Sequence, residues 1–187
     1  MRKRINLLFI LMEKENQLDD KIPKWFAIYT KPRAEKKVKE QLEKYNYEHY
    51  LPLQTQIRQW KDRKKKVEVP LFNSYLFVKV TSKEYYEIPK NITGIVKYVT
   101  IGGQKISIKE HEIDLIKKLI EFSPEEIETL NENLEINQSV EIKTGKLKGL
   151  TGKLIQFDGK NKIAIRINSV GTNLLVQINK NAVKKIK

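Results

Sequence analysis

The 187-residue chain has no cysteine. Disulfides, thiol nucleophiles and cysteine metal sites are therefore excluded, as suits a reducing cytoplasm, the location expected here. Histidine is nearly absent: His49 and His111 are too few for a histidine metal site without a carboxylate constellation, and none is apparent. No nucleophile–base set and no phosphate-cradling glycine loop is present either, so neither an enzyme nor a cofactor is expected. Long apolar runs are also missing. The best, residues 5–12, is interrupted by Asn6 and too short to span a bilayer. Arg2, Lys3 and Arg4 precede it, but no small-residue cleavage site follows. Residues 1–22 are read as a loose extension with no membrane partner, and synthesis from Met12 is an expectation that native mass spectrometry tests.

Positive charge is abundant. The net charge is +14 and the pI about 9.7, which call for a polyanionic partner. The 31 lysines against six arginines favour tracking of a phosphate backbone over dense reading of bases. A hydrophobic content of 40% is enough for packed cores.

The chain is organised around residues 70–80, PLFNSYLFVKV, which is apolar on both faces. Such a strand is central in a sheet and covered on each side. Pro70, lacking an N–H, is expected at its start, and Asn73 and Ser74 at a turn or bulge. Upstream, residues 24–29 read as a first strand. Pro32 is expected in the first turn of a helix carrying Ala34, Val38, Leu42 and Tyr45 on its packed side. Glu35, Glu40 and Glu43 interleave with that helix's lysines, as on a solvated face. A strand at 47–51 and a hairpin with arms at 54–59 and 67–69 follow. The hairpin tip, RQWKDRKKK, holds six basic residues against Asp62. Trp60 within it is either a stacking surface for an unpaired base or a cover folded back on the sheet, and cover is the commoner fate of a lone tryptophan.

Beyond the central strand, a short helix capped by Ser82, a strand at 94–100, a Gly102-Gly103 turn into 106–108 and a helix at 109–122 are expected. The order describes a mixed α+β domain of ferredoxin-like type over residues 23–122. No Lys or Arg falls between Lys118 and Lys143, while Glu121, Glu125, Glu126, Glu128, Glu132 and Glu135 accumulate. That shift marks an acidic linker at 123–137, with a helical turn at 125–130. From 138 to 187, short β-branched runs at 139–143, 152–157, 162–167, 173–178 and 182–186 describe a small five-stranded closed barrel.

The stretches KWFAIYTKPRAEKKVKEQLEK, VPLFNSYLFVKV and TGIVKYVTIGG resemble the N-terminal (NGN) domain of the NusG family of transcription elongation factors. VEIKTGKLKGLTGKLIQFD resembles the family's KOW motif, an SH3-like barrel, with Gly145, Gly149 and Gly152 at turns. Within the family, the chain is similar to the specialised RfaH-like and UpxY-type antitermination paralogues, the latter governing surface-polysaccharide operons.

The resemblance implies a non-enzymatic monomer that suppresses pausing and termination. It would dock on the RNA polymerase clamp helices through an apolar patch of Tyr29, Tyr75, Phe77, Tyr98, Ile113 and Ile116, converging beside the central strand. Lys31, Lys37 and Lys44, with the hairpin's Arg58, Lys61, Arg63, Lys64 and Lys65, would meet non-template DNA or nascent RNA. Gln41, Tyr45 and Thr93 replace residues that serve DNA reading in the RfaH-like relative. The 168–172 loop, with Ser169, Val170 and Gly171, would recruit a small-subunit ribosomal protein or a termination factor. A ribosome- or RNA-associated KOW protein without polymerase contact is the alternative.

Overall fold

The computed structural model describes residues 18–60, 62–122, 127–130, 138–157, 160–168 and 170–186. In chain order these form β1 (Lys24–Thr30), α1 (Glu35–Lys44), β2 (His49–Tyr50), β3 (Leu53–Gln59), β4 (Lys64–Pro70), β5 (Tyr75–Val80), α2 (Ser82–Asn91), β6 (Ile95–Tyr98), β7 (Thr100–Ile101), β8 (Gln104–Lys105) and α3 (Glu110–Phe122). Then come β9 (Ile127–Leu130), β10 (Gln138–Ile142), β11 (Thr151–Phe157), β12 (Lys160–Ile167), β13 (Thr172–Gln177), a 3-10 turn at Lys180–Ala182 and β14 (Val183–Lys185). The fold is mixed, with few helices and many strands.

Strand β5 is interior to the N-terminal sheet, whose order is β2-β5-β1-β6. Its alternation serves two layers. Leu76, Val78 and Val80 join Phe26 and Ile28 in a core closed by Val38 and Leu42 of α1 and Tyr85 and Ile88 of α2. Phe77 points the other way with Trp25 and Ala27, and α3 closes that face with Ile113, Ile116 and Leu119. Both cores exist because neither face of the strand carries enough polar surface to stay in water.

Pro70 does not open β5. It ends β4 opposite Leu53, and a turn at residues 71–74 separates it from Tyr75. The turn needs Ser74 at φ 64, which puts its N–H in the interior, where the carboxylate of Glu35 accepts it at 2.7 Å. The Ser74 carbonyl in turn accepts from Thr30 N–H at 2.8 Å. Glu35 thus pins the start of the central strand to the first turn of α1. A Glu35→Ala protein should lose about 2 kcal/mol in urea denaturation, because a buried N–H is left unmade, whereas Glu35→Gln keeps an acceptor and most of the stability.

Other expectations shift for equally local reasons. Arg33 at φ 62 breaks the chain direction, so Pro32 lies in the turn before α1 and not in its first turn. Thr81, not Ser82, caps α2, with the Glu84 carboxylate accepting from both its N–H and its hydroxyl at 2.8 Å. The Gly102-Gly103 turn joins β7 to β8, so the return strand lies at 104–105 and not at 106–108. The hairpin arms run to Gln59 and from Lys64, which makes most of the basic run ladder and not loop.

The helical turn expected at 125–130 is instead, over its described part, strand β9, paired to β13. The C-terminal sheet is accordingly six-stranded, in the order β14-β10-β11-β12-β13-β9, where a five-stranded closed barrel was expected. β9 shields an otherwise bare edge of β13. It is held there by Glu128, whose two oxygens each lie 2.7 Å from Nζ of the buried Lys162, across β13. The acidic run is thus in part a structural partner and not solely a solvated spacer. Gly152 sits within β11, whereas Gly145 and Gly149 occupy true turn conformations at φ 81 and 87.

Candidate nucleic-acid and docking surfaces

A basic surface is built from α1 and the β3–β4 hairpin. Packing of Val38 and Leu42 turns Lys37 and Lys44 of α1 outward, and Lys31 is exposed in the preceding turn. Lys36 donates to the Glu68 carbonyl of β4 at 2.9 Å, which places the hairpin base beside α1. Lys39 and Glu43 pair at 2.6 Å, and this bond from Lys39 holds the Glu43 carboxyl below its usual range. On α1, then, part of the positive charge is spent locally.

The hairpin differs. Arg58, Arg63, Lys64 and Lys65 are exposed and form no ion pair among the described residues. Lys61 lies outside the described residues. Trp60 does not fold back over the sheet: it is 55% exposed, because the seven-residue arms carry the tip away from the body.

Gln41 and Thr93 hold each other. The Gln41 amide donates to the Thr93 carbonyl and accepts from its N–H and hydroxyl, all at 3.0 Å. Two positions associated by resemblance with DNA reading therefore fasten α1 to the loop before β6, and the Gln41 amide is engaged. Tyr45 remains half-exposed, stacked 6.4 Å from Tyr47.

The six aromatic and aliphatic residues expected to converge are divided by the sheet. Tyr29 and Tyr75 are half-buried neighbours on one face, ring edge against ring at 5.1 Å. Burial, with the Tyr29 phenol beside it, raises the Tyr75 pKa. Phe77, Ile113 and Ile116 share that face but have no exposed surface at all. Phe77 stacks at 6.3 Å on Tyr50, whose phenol burial pushes up to about 12. Tyr98 lies on the opposite face, paired with Ile28, and stacks 3.7 Å from Tyr85. Its hydroxyl is buried, has no hydrogen-bond partner among the described residues and is raised in pKa by that burial. The convergence therefore fails for Tyr98: strand β6 pairs beside β1 with Tyr98 facing α2.

The cluster containing Phe77, Ile113 and Ile116 does not stop at α3. It continues through Val140, Ile142, Ile163, Ile165, Ile167, Leu174 and Val176 of the C-terminal sheet. One oxygen of Glu112, on α3, accepts from the Asn168 N–H at 2.9 Å. The 168–172 loop, expected to meet an outside partner, is thus tied to α3. Val170 is half-buried against the cluster, Gly171 takes φ 70, and Ser169 lies outside the described residues. Glu35, Gln41 and Thr93 were named by sequence reading but not these contacts, and Glu112 was not singled out. An acid in the first turn of an amphipathic helix was the available signal for Glu35 and Glu112.

No group of three or more His, Asp or Glu placed to hold a metal ion occurs among the described residues, and none of their helices is long and apolar enough to cross a membrane.

The chain is similar in fold to the structure describing the domain interaction in Thermotoga maritima NusG, with 20% identity and a TM-score of 0.55 over 88% of this chain and 98% of that one. A structure of the MjSpt4:Spt5 complex in conformation B aligns with 20% identity and a TM-score of 0.30 over 87% of this chain and 97% of the other. No curated protein matches. The family described as transcription termination factor NusG matches residues 23–117, more than half of the chain, from the first strand through most of α3, and the protein belongs to that family.

Proposed function

We propose that this protein is a transcription elongation and antitermination factor that rides on RNA polymerase and suppresses pausing and termination. Membership of the family carries the reading. Arg58, Arg63, Lys64 and Lys65 of the hairpin, exposed and without an ion pair among the described residues, support contact with nucleic acid in the transcribing complex, beside the outward lysines of α1. The half-exposed Tyr29–Tyr75 pair is the accessible part of the proposed docking patch on the clamp helices. Phe77, Ile113 and Ile116 support the patch from beneath. In this reading the residues from 138 onward form the KOW module, with β9 from the acidic stretch added at its sheet edge, and its 168–172 loop recruits a ribosomal or termination partner after leaving Glu112. The protein acts as a cytoplasmic monomer and, as a specialised paralogue, on a few long operons such as those for surface polysaccharides.

Binding to core RNA polymerase is the direct test. Tyr75→Ala, which removes half-exposed surface, should weaken binding at least tenfold while the melting temperature falls by only a few degrees. Undiminished affinity would refute the patch. Mapping of occupancy along transcribed genes then separates the roles: confinement to a few long operons supports the specialised one, and occupancy of most genes removes it.

A further inference from the structure

The β3–β4 hairpin is a two-stranded sheet of its own, so neither arm is covered by a third strand. Its register sorts the tip into two unlike faces. Arg58 lies opposite Lys65, and Trp60 donates its N–H to the Arg63 carbonyl at 2.8 Å, which sets that pair opposite as well. Since side chains alternate, Arg58, Trp60, Arg63 and Lys65 share one face, and Ile57, Gln59, Lys64 and Lys66 share the other. The only acid of the arms, Glu68, pairs with Thr55 and so falls on the Ile57 face. The Trp60 face carries no carboxylate along either arm. Beyond Gln56 and Val67, its outer end carries an indole, 55% exposed, and three cations, Arg58, Arg63 and Lys65.

That combination fits one ligand chemistry. An exposed indole gains little in water but stacks on the face of any unpaired base, and cations beside it neutralise the flanking phosphates. A duplex keeps its bases stacked on one another and offers this face only phosphates. We propose that the Trp60 face is a binding site for single-stranded nucleic acid, with an unpaired base on the Trp60 indole and the adjoining phosphates on Arg58, Arg63 and Lys65. Stacking on a base and charge contact with phosphates do not read the sugar, so the site takes DNA and RNA strands alike. The inference rests on the reading of the hairpin as a nucleic-acid surface and names what that surface selects.

Titration of the full-length protein with oligo(dT), oligo(U) and a mixed-sequence duplex tests it. The two tryptophans separate the signal, since Trp25 is 3% exposed and Trp60 is 55% exposed. Oligo(dT) and oligo(U) should quench the Trp60 emission with affinities within about threefold of each other. Trp60→Ala should weaken both strands about tenfold or more and leave duplex binding within twofold. Arg58→Gln/Lys65→Gln should weaken strands and duplex together and flatten the salt dependence. Equal loss of strand and duplex in Trp60→Ala would overturn the stacking site and leave the basic hairpin standing. A strong preference for one sugar would overturn the sugar-blind site. Strand affinity untouched by the double cation variant would remove the hairpin as a nucleic-acid surface altogether.

Discussion

A Phe77→Ala protein should be less stable than wild type by about 3–5 kcal/mol, the range for truncating a fully buried aromatic whose neighbours cannot collapse into the hole. Phe77 has no exposed surface, stacks on Tyr50 at 6.3 Å and meets the Phe72 ring edge-on at 5.8 Å. It also belongs to the apolar cluster that joins the N-terminal sheet, α3 and the C-terminal sheet, so the loss is felt on three elements. The midpoint of urea denaturation should fall steeply, while Tyr75→Ala, two residues away and half-exposed, should cost about 1 kcal/mol from its lost ring contact and partial burial. Unchanged stability in Phe77→Ala would mean that the face is not packed. The contrast matters for function. Loss of polymerase binding in Phe77→Ala would report unfolding, so the docking question belongs to Tyr29 and Tyr75.

The central strand was legible because its pattern left few choices. A run apolar on both faces has to be covered twice, and 75–80 is covered by α1 and α2 on one side and α3 on the other. The elements flanking it followed from helical spacing and glycine turns. What escaped were contacts between residues far apart in sequence. Glu35 read as one of three acids on a solvated helix, yet it satisfies a backbone N–H 39 residues away. Glu128 read as linker charge, yet it balances a lysine that is itself buried. An acid's role depends on which donor the fold brings to it, and spacing along the chain does not carry that information.

The candidate surfaces divide in the same way. The exposed cations of α1 and the hairpin were legible, because charge that cannot be buried must lie outside. The aromatic patch was legible only as a set of apolar residues. Tyr75 and Phe77 differ by two positions and share a face, but α3 lies over Phe77 and leaves part of Tyr75 bare. Tyr98 alternates onto the far side because of how β6 pairs with β1, with a register shift at Tyr29 and Thr30. Trp60 shows the limit of a frequency argument: lone tryptophans are mostly covered, but seven-residue arms put this one beyond the reach of the sheet.

Gly152→Ala should destabilise the chain by about 3 kcal/mol, the upper end of the usual cost of forcing an extra carbon into a packed site. A Cβ there would lie 2.6 Å from the Ala164 carbonyl oxygen and 2.8 Å from Cγ1 of Ile163. The isoleucine can rotate, but the carbonyl belongs to the β11–β12 ladder and cannot move without opening it. The three glycines that look alike in sequence therefore have different reasons. Gly149, at φ 87 with nothing within 4 Å of its would-be Cβ, should cost only the strain of a left-handed alanine, about 1–2 kcal/mol. Gly152 is needed for close approach of backbones and is not at a turn. Because Ile163 shares one apolar cluster with α3 and Trp25, the lesion should not stay local. Emission of Trp25 and the far-ultraviolet strand signal should melt together in Gly152→Ala, both at the lowered temperature. A Trp25 transition that keeps its wild-type midpoint while the strand signal falls would show instead that the two sheets hold together independently.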